Sequence, residues 1–132
     1  MQPALLLLAS VLVMCASSSN AQSPKLMIFG GNDHNIYLGC LNCSEYAPDS
    51  VHNQYGQHGS PYSSLSIFNA YGTYGSAYSS DSACSQYATD PPVIVDQNGG
   101  FYGRLTLNQR HPQASKNQQI VQWLRGVGCA NR

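Results

Sequence analysis

Residues 43–90 read CSEYAPDSVHNQYGQH, GSPYSSLSIFNAYGTY and GSAYSSDSACSQYATD, three consecutive copies of one pattern at a period of sixteen. Tyr46, Tyr62 and Tyr78 fall in register, as do Ser50, Ser66 and Ser82, then Val51, Ile67 and Ala83, then Tyr55, Tyr71 and Tyr87. A fixed period marks units that cannot bury an apolar face alone and therefore stack on one another. In each copy a Ser precedes a small apolar residue, with a Tyr four places beyond it and, in two copies, a Gly next. Ser caps free amides, residues four apart share a helix face, and Gly ends a turn left-handed, so the pattern predicts one short helical turn per copy. On this reading Tyr55, Tyr71 and Tyr87 form an internal ladder. Tyr62, Tyr74 and Tyr78, in the Gly- and Ser-rich links, either stack between units or face a ligand. The third copy drifts, with Ala83, Cys84, Ser85 and Ala88 replacing the earlier pattern, as a terminal unit does.

Outward from the repeats, the chain changes character on both sides. Lys25 to Phe29 and Ile36 to Leu41 are apolar runs around the turn-forming stretch Gly30 to Asn35, which predicts a β-hairpin with Asp33 and His34 at its tip. Pro91 and Pro92 end the array; Val93 to Asp96, a turn through Gln97 to Gly100, and Phe101 to Leu107 predict a second hairpin. Lys116 to Val127 places Ile120, Val121, Leu124 and Val127 on one helical stripe beside Trp123, with Gly128 following. The expected fold is α+β: two hairpins and a carboxyl-terminal helix around a three-unit repeat of sixteen residues.

Residues 4–16 form an apolar run too short to span a bilayer, followed by SSSNAQS. This reads as a secretory signal peptide over residues 1–21, cleaved after Ala21, leaving a single domain at 22–132. Cys15, closing the stretch LVMC, offers a lipoprotein signal as the rival, although Met14 is large for the position before a lipidated Cys. Both readings place the mature chain in the periplasm or outside the cell, with no membrane span.

Removal of residues 1–21 leaves four cysteines, Cys40, Cys43, Cys84 and Cys129, and an even number in a short exported chain implies disulfides. Three pairings are open. If Cys40 closes on Cys43, Cys84 pairs with Cys129 and contributes on the order of 3–4 kcal/mol by chain entropy. A redox role for the CxxC is the alternative, but such pairs sit at helix amino termini, whereas IYLGCLNC reads as a strand entering a turn. His34, His52, His58 and His111 are too scattered for a zinc site, so neither metal nor other cofactor is expected.

Charged residues make up only 9% of the chain, against roughly 25% in ordinary soluble proteins. The net charge is zero, which excludes a general nucleic-acid binder. The repeats hold Glu45, Asp49, Asp81 and Asp90 with no base, while Arg104, Arg110, Lys116, Arg125 and Arg132 follow Asp96 with no acid. These are either faces that complement each other within the fold or a polarised surface for a charged partner.

LGCLNCS at 38–44, the tandem repeats, and DPPVIVDQNGGFYGRLTLN at 90–108 resemble a group of small, mostly bacterial proteins of uncharacterised function. Those proteins carry LGCLNCS, copies similar to SIxNxYGxYGSxYS, and an ending similar to DPPVIVDxxGxFYGxLTxN. His58 stands here where a Tyr is common. The resemblance covers most of the mature chain and implies a shared architecture without an activity.

Seven of the nine tyrosines lie in the repeats, among Ser, Gly and Asn, the composition of adaptable recognition surfaces. The expected function is a non-catalytic binding module of the envelope or extracellular space, its partner a glycan or a protein. No GxSxG, HExxH or nucleotide-binding glycine loop is present. A hydrolase would draw first on Asp33 and His34 as general acid and base.

Overall fold

The structure, a computed structural model, describes residues 23–130. The expected signal peptide and Cys15 lie outside the described residues. Two hairpins form: β1 (Met27–Gly30) with β2 (Ile36–Cys40), and β3 (Val93–Val95) with β4 (Phe101–Arg104). They join into one antiparallel sheet in the order β2-β1-β3-β4, because Ile28 of β1 also pairs with Ile94 of β3. One α-helix, α1 (Gln118–Trp123), follows. The class is mixed α+β, with disulfides Cys40–Cys43 and Cys84–Cys129.

The helix is shorter than its sequence pattern predicts. Asn117 caps it, its side chain accepting from the N–H groups of Gln119 and Ile120. Beyond Trp123 the coil widens into a π-helical turn, Leu124–Gly128. Val121 and Leu124 are buried, but the widened turn rotates Val127 off the stripe, and it is 55% exposed. Cys129, just past this turn, closes on Cys84.

The predicted helical turns at 43–90 do not form: the segment contains neither helix nor strand. It is instead a succession of tight turns, one beginning about every three residues. The N–H of Ala47 bonds the carbonyl of Ser44, Ser50 that of Ala47, Asn53 that of Ser50, and Gly56 that of Asn53; the same bonds recur from Ser60 to Gly72. The reason lies in the Ser and Asn side chains. Ser44, Ser50 and Asn53 each accept the N–H two residues ahead, as do Ser60, Ser63, Ser66 and Asn69. Such local bonds compete with the helix and win wherever the chain repeats them.

Successive turns fold the chain back on itself. A Cβ on Gly75 would strike the Asn69 carbonyl oxygen, six residues back, and stand 2.5 Å from that of Ile67, eight back; one on Gly59 would likewise strike Asn53 and stand 2.9 Å from the Val51 carbonyl oxygen, and one on Gly56 2.9 Å from that of Pro48. Val51, Ile67 and Ala83 meet Ile28, Leu38, Ile94, Leu105 and Leu124 in one core.

Gly75→Ala should destabilise the protein by about 1–3 kcal/mol, because its methyl group would strike buried backbone that cannot yield. Gly126→Ala, with nothing within 4 Å of the added carbon, should change stability by no more than about 0.5 kcal/mol. Urea unfolding of both variants checks this; equal stabilities would contradict the close backbone approach.

Candidate functional site

Two clusters of polar side chains tie the repeats to the sheet. At the first, Tyr37 of β2 donates to Asp49 at 2.6 Å, and Lys25 stands 2.8 Å from the same oxygen. Burial, and then the Asp49 carboxylate, push the Tyr37 phenol above its ordinary range. Lys25 and Tyr37 hold the Asp49 carboxyl below its usual value.

At the second, Arg104 of β4 donates through Nη1 to Asp90 at 2.8 Å and to the Pro91 carbonyl at 2.7 Å, while its Nε donates to Gln113. His34 Nε2 lies 2.9 Å from the same Asp90 oxygen. The left-handed backbone of His34, φ 52°, follows the turn closed by its N–H on Gly31. With its proton on Nε2, His34 donates to Asp90, which only accepts; Arg104 Nη1, 3.2 Å from the same nitrogen, then finds its acceptors in Asp90 and the Pro91 carbonyl. Burial alone would raise the Asp90 carboxyl, but hydrogen bonds from Arg104 and His34 outweigh it and hold the carboxyl below its usual value. Part of the sequence's charge asymmetry is thereby spent inside the fold.

Beside this cluster runs a groove of about 450 Å³ lined by Phe29, Val93, Val95 and Phe101, with His34, Arg104 and Gln113 at one side. His34 thus meets Asp90, while Asp33 is exposed in the turn. No Ser, Thr, Cys or Lys lines the groove among the described residues, so the cluster offers a structural clamp rather than a nucleophile.

The CxxC is closed at the end of β2, where Cys40 is fully buried, instead of at a helix amino terminus. Each remaining histidine meets a backbone carbonyl: His52 that of Leu41, His58 that of Leu65, His111 that of Thr89. Among the described residues no three His, Cys, Asp or Glu side chains gather as a metal-holding group. Trp123, partly buried against the core, packs edge-on against His52 and Phe68.

The tyrosines depart most from expectation. Tyr55, Tyr71 and Tyr87, expected inside, are 98%, 99% and 83% exposed, and Tyr46, Tyr62 and Tyr78 are 85%, 91% and 96% exposed. All six stand two residues after a Ser or Asn whose side chain binds the tyrosine's own N–H. The apolar interior is filled instead by Val51, Ile67 and Ala83. Tyr74, expected to serve recognition with Tyr62 and Tyr78, is partly buried against the core, its ring over Gly30.

No family model, curated protein or solved structure matches this chain.

Because Asp90 is held ionised in the folded protein, its contribution is complete above the unfolded carboxyl value near pH 4. It is lost as pH falls through the lower folded value. Asp90→Asn should therefore cost about 1 kcal/mol at pH 7, and its deficit relative to wild type should shrink below pH 4. Urea midpoints of both proteins at pH 7 and pH 3 test this; a deficit unchanged at pH 3 would show that the clamp does not depend on charge.

Proposed function

We propose that this is an exported, non-catalytic binding module, built from three stacked sixteen-residue units, whose ligand lies along the tyrosine rings. The observation that carries the reading is the exposure of six rings at matching places in the three copies. An aromatic ring left in water forgoes the burial that stabilises most large apolar side chains, and a contiguous run of them marks an interaction surface.

The six tyrosines recur alternately at nine and seven residues and so run as a row along the length of the array. A ring 99% exposed, such as Tyr71, is not covered by its neighbours, so both faces are open to a ligand. Two disulfides accord with export, and no described helix is long and apolar enough to cross a membrane.

The triple variant Tyr62→Ala, Tyr71→Ala, Tyr78→Ala removes the middle of the row without touching the core. Each substitution should alter stability by less than about 0.5 kcal/mol. Wild-type protein applied to immobilised glycans and peptides should be retained by at least one, and the triple variant, folded by circular dichroism, should not. Retention that survives the triple substitution, or none for wild type, would reject the reading.

A further inference from the structure

We infer that the carboxyl-terminal end of the array carries a second binding site, one for an oxyanion (a carboxylate, sulfate or phosphate) attached to an apolar body. It shares only Tyr87 with the tyrosine row. The bases of this chain are few, and most are engaged: Lys25 stands against Asp49, Arg104 against Asp90, and Lys116 reaches the Gln109 carbonyl at 3.5 Å. The guanidinium groups of Arg110 and Arg125 have no hydrogen-bond or ion-pair partner among the described residues. Both side chains are exposed, and both line one cleft of about 630 Å³, the size of a small-molecule site. No acidic side chain lines that cleft. A guanidinium presents paired donors that fit the oxygens of a carboxylate or phosphate, so two of them without a carboxylate between them are matched to an anion from outside.

The cleft is held from two sides. Beyond β4, the Arg110 N–H donates to Asn108 Oδ1 at 3.2 Å, and Asn108 Nδ2 donates to the Ala88 carbonyl at 2.9 Å. The Leu107 N–H reaches the Ala83 carbonyl at 2.9 Å. Arg125 stands in the Leu124–Gly128 turn, which the Cys84–Cys129 bond fastens to the third copy. Two segments are thus anchored separately on the third copy, each bringing one arginine to the same cleft. A base in the last turn of a helix also offsets the free carbonyls there, which accounts for Arg125 but not for Arg110. Tyr87, 83% exposed, and Leu107 give the cleft an apolar wall. A smaller cavity of about 160 Å³, reaching Ala77 and Cys84, adjoins it across Gln86, Tyr87 and Leu107. The oxyanion belongs at the arginines, and the apolar body along Tyr87 and Leu107.

Calorimetric titration of the whole protein with phenyl phosphate, phenyl sulfate and benzoate, each beside its parent ion (phosphate, sulfate and acetate), tests the inference and sorts the anionic groups. At least one aryl oxyanion should bind about five-fold or more tightly than its parent, because its ring is buried on Tyr87 and Leu107. Neutral benzyl alcohol should bind about ten-fold more weakly than that ligand. Raising salt from about 0.05 to 0.5 M should weaken binding about three-fold or more. Arg110→Gln and Arg125→Gln, which change exposed side chains without partners, should leave the urea midpoint in place and each weaken binding about ten-fold. Tyr87→Ala should remove the advantage of the ring. The Tyr62→Ala, Tyr71→Ala, Tyr78→Ala variant should bind as wild type does, whatever becomes of the tyrosine row as a binding surface.

No binding of any oxyanion at about 10 mM would overturn the site. So would binding that survives both arginine substitutions. Aryl and parent ions bound equally would overturn the apolar body, and binding lost in the triple tyrosine variant would overturn a site separate from the row.

Discussion

A side-chain oxygen accepting the N–H two residues ahead is the interaction on which this structure depends. Between Cys43 and Asp90 the chain has no helix or strand to satisfy its backbone, yet it contributes Val51, Ile67 and Ala83 to the core. Buried amides left unpaired would cost more than the apolar burial returns. Ser and Asn at most of the three-residue steps, such as Ser44, Ser50, Asn53, Ser60, Ser63, Ser66 and Asn69, solve this locally. Ser50, Ser66 and Ser82 are themselves wholly buried, and no buried side-chain polar atom among the described residues lacks a partner. These residues serve as part of the backbone's hydrogen bonding, which explains how so hydroxyl-rich a segment packs as an interior.

The same bond precedes residues on both sides of the surface: in six turns the residue two places on is an exposed tyrosine, while Leu65, Phe68 and Cys84 stand in the same place and pack into or against the core. The sheet supplies rigidity through different chemistry. Lys25 and Tyr37 grip Asp49 near the beginning of the array, and Arg104 with His34 grips Asp90 at its end. Both clamps are only partly shielded from solvent, so they fix position more than they add stability. Asp49 and Asp90 are thus engaged where the array meets the sheet.

Much of the framework is legible from residue order alone. Both hairpins announce themselves by apolar runs around Gly, Asn and Asp, and the carboxyl-terminal helix by the stripe of Ile120, Val121 and Leu124. The orientation of the repeats is not. A period of sixteen shows which residues are equivalent, but Ser and Tyr are each at home on either side of a surface. Reading the tyrosines as a ladder assumed that the largest ring fills the interior; the tight turns leave room there only for Val, Ile, Ala and hydroxyls. Ser before an aliphatic also suits a helix cap and a hydroxyl-closed turn equally well. Ser or Asn at three-residue steps, as from Ser60 through Ser63 and Ser66 to Asn69, is the signal that separates them. Val127 misleads for another reason, since a helix that widens before a disulfide leaves no mark in its periodicity.

The array is inserted between the two hairpins, and this shapes how the chain reaches its native state. Its own contacts span few residues, so it can condense early with little loop-closure entropy. The central pairing of the sheet joins Met27 to Val95 across the whole insertion and must wait for that condensation. Once compact, the array brings β3 within reach of β1, and the sheet can then close. The Cys84–Cys129 bond, spanning 45 residues, belongs to that same late stage, while Cys40–Cys43 can form as soon as its turn does. A chain stalled partway would hold its turns before its sheet, so the array would precede the scaffold that anchors it.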